Sequence, residues 1–86
     1  MKQIQPVSIW YNGQMVQATL LNMVSYNDNL IDNASFFYGL YIDNNTQVAQ
    51  GNITMTGFDY EAYSSSPDSN SYAYQWGATQ LNLTLV

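Results

Sequence analysis

The 86-residue chain has one basic residue, Lys2, six acids, and neither cysteine nor histidine, for a formal net charge of −5. This excludes disulfides, thiolate metal sites and histidine-based catalysis within the chain; with a single cation it also excludes binding to nucleic acid or to an anionic membrane surface. Charged residues are 8% of the chain, against about 25% in an ordinary soluble domain, so solubility rests on Asn, Gln, Ser and Thr, whose amides and hydroxyls are cheaper to desolvate than charges.

Gln5 to Tyr11 reads as a strand, with Val7, Ile9 and Tyr11 on one face and Ser8 and Trp10 on the other. Asn12-Gly13 then predicts a two-residue hairpin, because a type I′ turn needs positive φ at both positions. The returning strand spans Gln14 to Tyr26. Its apolar alternation changes phase between Val16-Ala18-Leu20 and Leu21-Met23, which predicts a bulge near Leu20–Asn22. Asn27 to Asn33 reads as an Asx-rich loop. The strand from Ala34 to Ile42 is apolar on both faces, with Phe36, Tyr38, Leu40 and Ile42 on one and Phe37 and Tyr41 beside Gly39 on the other. That pattern predicts a central strand covered on both sides, the second cover being a helix of the same chain or a partner subunit.

Asp43-Asn44-Asn45 makes the next turn. Gln47 to Thr56 is a strand with Ala49, Gly51, Ile53 and Met55 inward and Val48, Gln50, Asn52, Thr54 and Thr56 outward. Phe58 to Tyr63 forms a helical turn, with Asp59 and Glu61 complementing its dipole. Ser64 to Asn70 is a surface loop. Ser71 to Gln80 is a second helix capped by Asp68 or Asn70, with Tyr72 and Trp76 packed on the sheet, a stripe through Tyr74, Ala78 and Leu81, and Gly77 permitting close approach. Leu81, Leu83 and Leu85 alternate with Asn82 and Thr84 as a paired final strand. The whole reads as one domain, 1–86, mainly β with one or two short helices: a small antiparallel β-sandwich or half-barrel of about five strands, with a C-terminal helix and strand packed on it.

Reactive constellations are missing. Asp28 and Asp32 in the Asn-rich loop have the spacing to hold a hard cation, but solvated acids in an Asx turn are the favoured reading. Asp59 and Glu61 read as helix-dipole partners rather than as a glycosidase pair. No Gly-rich phosphate loop is present, and the serines have no histidine partner. No cofactor or metal site is therefore expected, and no enzyme. No secretory h-region and no apolar run of about 20 residues is seen. The glycosylation-like triplets at Asn33, Asn44, Asn52 and Asn82 then read as by-products of an Asn- and Thr-rich composition.

The positive feature is aromatic content, 15% of residues. Tyr and Trp join an apolar body to a polar tip and dominate interface hot spots. A domain this short buries only about 60–65% of the surface of its unfolded chain, so oligomerisation or docking is the remaining source of added stability. Trp10, Tyr11, Phe37, Tyr41, Leu83 and Leu85 are the expected interface residues, with Trp10 and Tyr41 alternatively serving as sugar-stacking platforms.

At Gly51-Asn52-Ile53-Thr54-Met55-Thr56-Gly57-Phe58-Asp59-Tyr60, and again at Tyr72-Ala73-Tyr74-Gln75-Trp76 and Leu81-Asn82-Leu83-Thr84, the chain resembles small virion proteins of tailed bacteriophages of gut Bacteroidales, including the crAss-like group. The opening strand, the Asn12-Gly13 turn and the Asn-Asp-Asn loop are similar too. The resemblance carries strand-and-turn patterns and no catalytic motif. It implies a particle component made in the host bacterial cytoplasm. Such a component would be a capsid auxiliary protein on the outer surface, or a tail or fibre module, with other virion proteins or further copies of itself as partners. A carbohydrate-binding module for host-surface attachment and a small regulator binding a host protein are the alternatives.

Overall fold

The computed structural model describes residues 1–86. Four antiparallel strands, β1 (Lys2–Tyr11), β2 (Gln14–Asp28), β3 (Asn33–Asp43) and β4 (Thr46–Thr56), form one sheet in the order β1-β2-β3-β4, followed by helices α1 (Gly57–Ser65) and α2 (Ser69–Gln80). The chain is thus mainly antiparallel β with two short helices, built as an open sheet rather than the expected five strands. Its longest dimension is 42 Å and its radius of gyration 13.5 Å, above the roughly 12 Å of a compact chain of this length.

The first hairpin forms as the sequence predicts. Asn12 and Gly13 have φ of 51° and 81°, and Tyr11 pairs directly with Gln14. The phase change along β2 has a different origin from the one expected. β2 pairs without a break from Leu20–Tyr41 to Ser25–Phe36, and the irregularity falls in β1, between Gln3 and Val7. Pro6 lies in that break and has no N–H to give the ladder. In β4 the outward assignment of Val48 is corrected. Leu40 pairs with Ala49 but Tyr41 with Gln47, and the residue left over, Val48, turns inward and is buried.

Register sorts the faces. Leu21–Leu40, Met23–Tyr38, Phe36–Ile53 and Ala34–Met55 share one face, and both helices lie on it. Phe36 anchors them, its ring 5.8 Å from both Tyr63 of α1 and Trp76 of α2. The buried stripe of α2 is Ala73, Trp76 and Gly77, with Ala78; Trp76 is buried as expected, and Tyr72 packs against the core only partly buried. Small residues let the helix approach closely, while Tyr72 and Tyr74 flank the contact with their polar tips free to bond. Tyr74 uses its hydroxyl to accept the Met23 N–H at 3.1 Å, a donor that β1, whose pairing stops at Leu21, does not reach. The Trp76 indole N–H is buried without an acceptor.

Gly77 packs on Met23. A Cβ at Gly77 would collide with the Met23 sulfur, so the gap belongs to that side chain. Gly77→Val is expected to cost about 1–3 kcal/mol by overpacking, and Gly77→Val combined with Met23→Ala less than the sum of the two single changes. Urea unfolding of the four chains measures both.

The helices differ from expectation mainly in extent. α1 runs for nine residues rather than a single turn. Ser65 donates to Glu61 O at 2.8 Å and Ser64 does the same at 3.1 Å, so the serines continue the helix. Asp68 caps α2, accepting the Ser71 N–H at 3.1 Å and the Ser71 hydroxyl at 2.8 Å, and only Ser66 to Asp68 separate the helices. The final segment is corrected most. Leu81 ends α2, Asn82 has φ of 57°, and Leu83 N–H donates back to Ala78 O. Only the tail pairs as expected: Leu85 bridges Ile4 of β1, Gln5 N–H donates to Thr84 O and Val86 N–H donates to Gln3 O.

Candidate binding surface

The other face of the sheet has no cover. On it, in register, lie Leu20–Tyr41, Asn22–Gly39, Val24–Phe37 and, from β4, Gln47, Gln50, Asn52 and Thr54. β3 is central, as its two apolar faces predicted, yet only one of those faces is covered by this chain. Phe37 is 52% exposed and Tyr26 49%, their rings stacked at 4.2 Å. Val24 is also 52% exposed. None of these residues is charged.

At its centre is a trough of about 410 Å³, lined by Asn22, Phe37, Gly39, Tyr41, Gln47, Gln50 and Asn52 among others. Its polar rim is ordered. The Tyr41 hydroxyl donates to Gln47 Oε1 at 2.8 Å, and Gln47 Nε2 donates to Gln50 Oε1 at 2.9 Å. Gly39 makes this possible, since a Cβ there would lie 2.9 Å from Gln47 Oε1 and 3.0 Å from the Tyr41 ring.

A second exposed apolar group sits at the end of the sheet where β2 turns into β3. Leu30 and Ile31 are 82% and 79% exposed, and Phe58, at the start of α1, is 83% exposed. They share one end because Asn33, which closes the loop, pairs with Thr56, next to Gly57-Phe58. The loop is held firmly. Asn29 Oδ1 accepts the N–H groups of Ile31, Asp32 and Asn33 at 2.9, 3.0 and 3.1 Å. Asp28 accepts from Leu30 N–H at 2.8 Å and from the Tyr60 hydroxyl at 2.7 Å, and Leu30 itself takes φ of 62°. Asp32 is occupied by the Asn29 and Asn33 amides at 2.7 and 3.0 Å. Both acids thus serve the loop, and no group of three or more Asp or Glu is placed to share a metal ion. Asp59 and Glu61 stand exposed on α1.

The expected interface residues divide. Phe37 and Tyr41 lie together on the open face. Trp10, 69% exposed, pairs with Met15, 57% exposed, at the first hairpin, apart from the trough. Tyr11, Leu83 and Leu85 pack against the chain's own core. Sequence reasoning missed Val24 and Tyr26, whose side the phase change on β2 obscured. It missed the amide rim, which only the Val48 bulge assembles, and the Leu30–Ile31 tip.

The Tyr60–Asp28 bond makes stability depend on pH in a defined sense. Donation to Asp28, reinforced by burial and by the Asp28 charge, pushes the Tyr60 pKa up from 10.0 to about 12. The folded state then holds a proton that the unfolded state releases above pH 10. The contribution is whole below pH 10 and is lost as pH rises towards 12. Thermal unfolding of wild type and Tyr60→Phe should therefore converge over pH 10–12, the wild type falling more steeply. Comparison of the chain with protein-family models, curated proteins and solved structures finds no match.

Proposed function

We propose that this chain is a non-catalytic structural component of a tailed-bacteriophage particle, an auxiliary protein that docks on the outside of the capsid lattice through the open face of its sheet. The chief support is the uncovered face of β3. A central strand carrying Phe37 and Tyr41, stacked Tyr26 and uncharged amides is left half-layered by its own chain. A docked partner supplies the second layer, so that chain and partner together form the sandwich the sequence suggests. With no ions to desolvate among these residues, burial costs less than at a charged face, its amides needing hydrogen-bond partners in the docked state, and aromatic residues at the centre of a desolvated patch provide the hot spots. The sequence resemblance to phage virion proteins is what suggests a particle as the partner, and a tail or fibre position would use the surface in the same way. Mass spectrometry of gradient-purified particles tests this: the chain is expected at a copy number matching a capsid or tail lattice, and its absence from the particles would refute the reading.

The apolar tip adds a contact that is separable from folding. Leu30→Ser with Ile31→Ser removes two exposed side chains and is expected to change stability by no more than about 0.5 kcal/mol per site, while reducing the amount retained on particles. Equal retention would remove the tip from the docking surface.

One observation favours a second reading. The Tyr41–Gln47–Gln50 chain across a glycine floor is a fixed array of neutral donors and acceptors beside an aromatic ring, chemistry that suits an uncharged saccharide. Binding on a glycan array that Gln47→Ala and Tyr41→Ala abolish would favour it over protein docking.

A further inference from the structure

Unpaired backbone edge occurs in several parts of this sheet, and most of it is blocked by the chain itself. Along β1, Gln5 N–H donates to Thr84 O at 2.9 Å and Val86 N–H to Gln3 O at 3.0 Å. Pro6 and the register break follow immediately, leaving only the short run into the first hairpin. Along β2, past the end of β1, the Tyr74 hydroxyl takes the Met23 N–H, the pairing slips between Ser25 and Asn27, and Asp28 ends the strand. These are the devices that keep sheet edges from pairing with other chains.

The outer edge of β4 beyond its bulge has none of them. From Gln50 to Thr56 the strand pairs with β3 without a shift and contains no proline and no charge. It ends beside Phe58, 83% exposed.

We infer that this edge takes a second copy of the chain, β4 against β4, antiparallel about a two-fold axis. An isologous pairing sets a strand against itself, so each residue must tolerate its own kind or a near neighbour. Gln50, Asn52 and Thr54 do so on the open face, as amide and hydroxyl pairs. Gly51 and Ile53 do so on the other, where Met55 is already enclosed by the chain's own core. Cross-strand pairs of this type are favourable, whereas like charges directly opposite are not. In a chain of net charge −5, this uncharged stretch is where two copies meet without opposing carboxylates along the ladder. The joined sheet has eight strands, and its two open faces lie side by side. The paired edge is roughly 20–25 Å long at about 3.4 Å per residue, a contact at the small end of specific interfaces. The dimer is accordingly weak and reversible, and it does not depend on docking to a particle.

Sedimentation velocity on the native chain from about 1 µM to 1 mM should show a monomer–dimer equilibrium. Hydrogen exchange at alternate amides of Gln50–Thr56 should slow as concentration rises. Because the chain has no cysteine, single-cysteine variants report the axis directly. Of Gln50→Cys, Asn52→Cys, Ile53→Cys and Thr54→Cys, tested singly and mixed in pairs because only directly opposed residues come within disulfide reach, at least one combination should form a covalent dimer on mild oxidation, whereas Gln75→Cys on α2 should not. Asn52→Asp, which keeps the side-chain shape, should weaken dimerisation tenfold or more with the circular dichroism unchanged. A monomer throughout the range, with exchange in β4 independent of concentration, would overturn the inference. So would a dimer that protects amides of β1 or β2 instead. Either result leaves the particle-docking proposal standing, since that rests on the open face.

Discussion

Leu21→Ala is expected to destabilise the isolated chain by about 2–5 kcal/mol, a large share of the stability of a domain this small. Leu21 is one of the largest fully enclosed side chains, with 0% exposure, and truncation there loses transfer free energy and leaves a cavity. Domains of this size have about 0.05–0.15 kcal/mol of stability per residue, a total that the substitution rivals. The core explains the sensitivity. The connected buried cluster has 12 residues and includes Ala18, Ala34 and Ala73, so few large side chains carry it. Denaturant unfolding measures the loss. A partner that binds only the folded chain adds about 2.7 kcal/mol at a concentration 100-fold above its dissociation constant. The variant should therefore unfold at lower denaturant than wild type when alone and regain part of that loss when docked. If Leu21→Ala were as stable as wild type, the core would not be centred where Leu21 of β2 pairs with Leu40 of β3.

Phe37→Ser together with Tyr41→Ser is expected to weaken docking by at least 2 kcal/mol, roughly 30-fold, the range of hot-spot truncations. Folding should suffer much less than in Leu21→Ala. Phe37 is half exposed and rests on Tyr26, also half exposed. Tyr41 holds Gln47, an exposed residue. Titration of each chain against particles, beside denaturant unfolding of each, separates the effects. The pair of variants forms a cross: Leu21→Ala should lose stability and recover on the particle, whereas the open-face variant should keep stability and lose the particle. Equal loss of stability and docking in both would mean that Phe37 and Tyr41 are ordinary packing residues.

Much of this was legible in the sequence, for physical reasons that differ along the chain. Asn12-Gly13 announced its hairpin because few other pairs accept two positive φ values in succession. Ala34 to Ile42 announced a central strand because both faces are apolar. The covering of only one of them is a tertiary fact, and it turns Phe37 and Tyr41 into surface. The Leu81-Leu83-Leu85 alternation resembled a strand, but hydrogen bonds at the end of α2 and the left-handed Asn82 spend most of the segment on leaving the helix. Leu30 and Ile31 fall in the Asn27–Asn33 loop that the sequence predicts, but nothing in its pattern says which way their side chains turn. The Asn29 side chain satisfies three successive backbone donors and fixes the loop with both side chains outward. The trough was invisible because its amides converge only through pairing registers and a bulge, neither of which has a signature in local periodicity.

The most direct measurement is hydroxyl-radical footprinting of the free chain and of the same chain on purified particles, since aromatic side chains report their own exposure. Docking through the open face predicts that Tyr26, Phe37 and Tyr41 lose most of their reactivity on the particle, while Trp10 at the distant hairpin serves as the internal comparison. Unchanged reactivity at all three aromatics on particles that contain the chain would contradict the account.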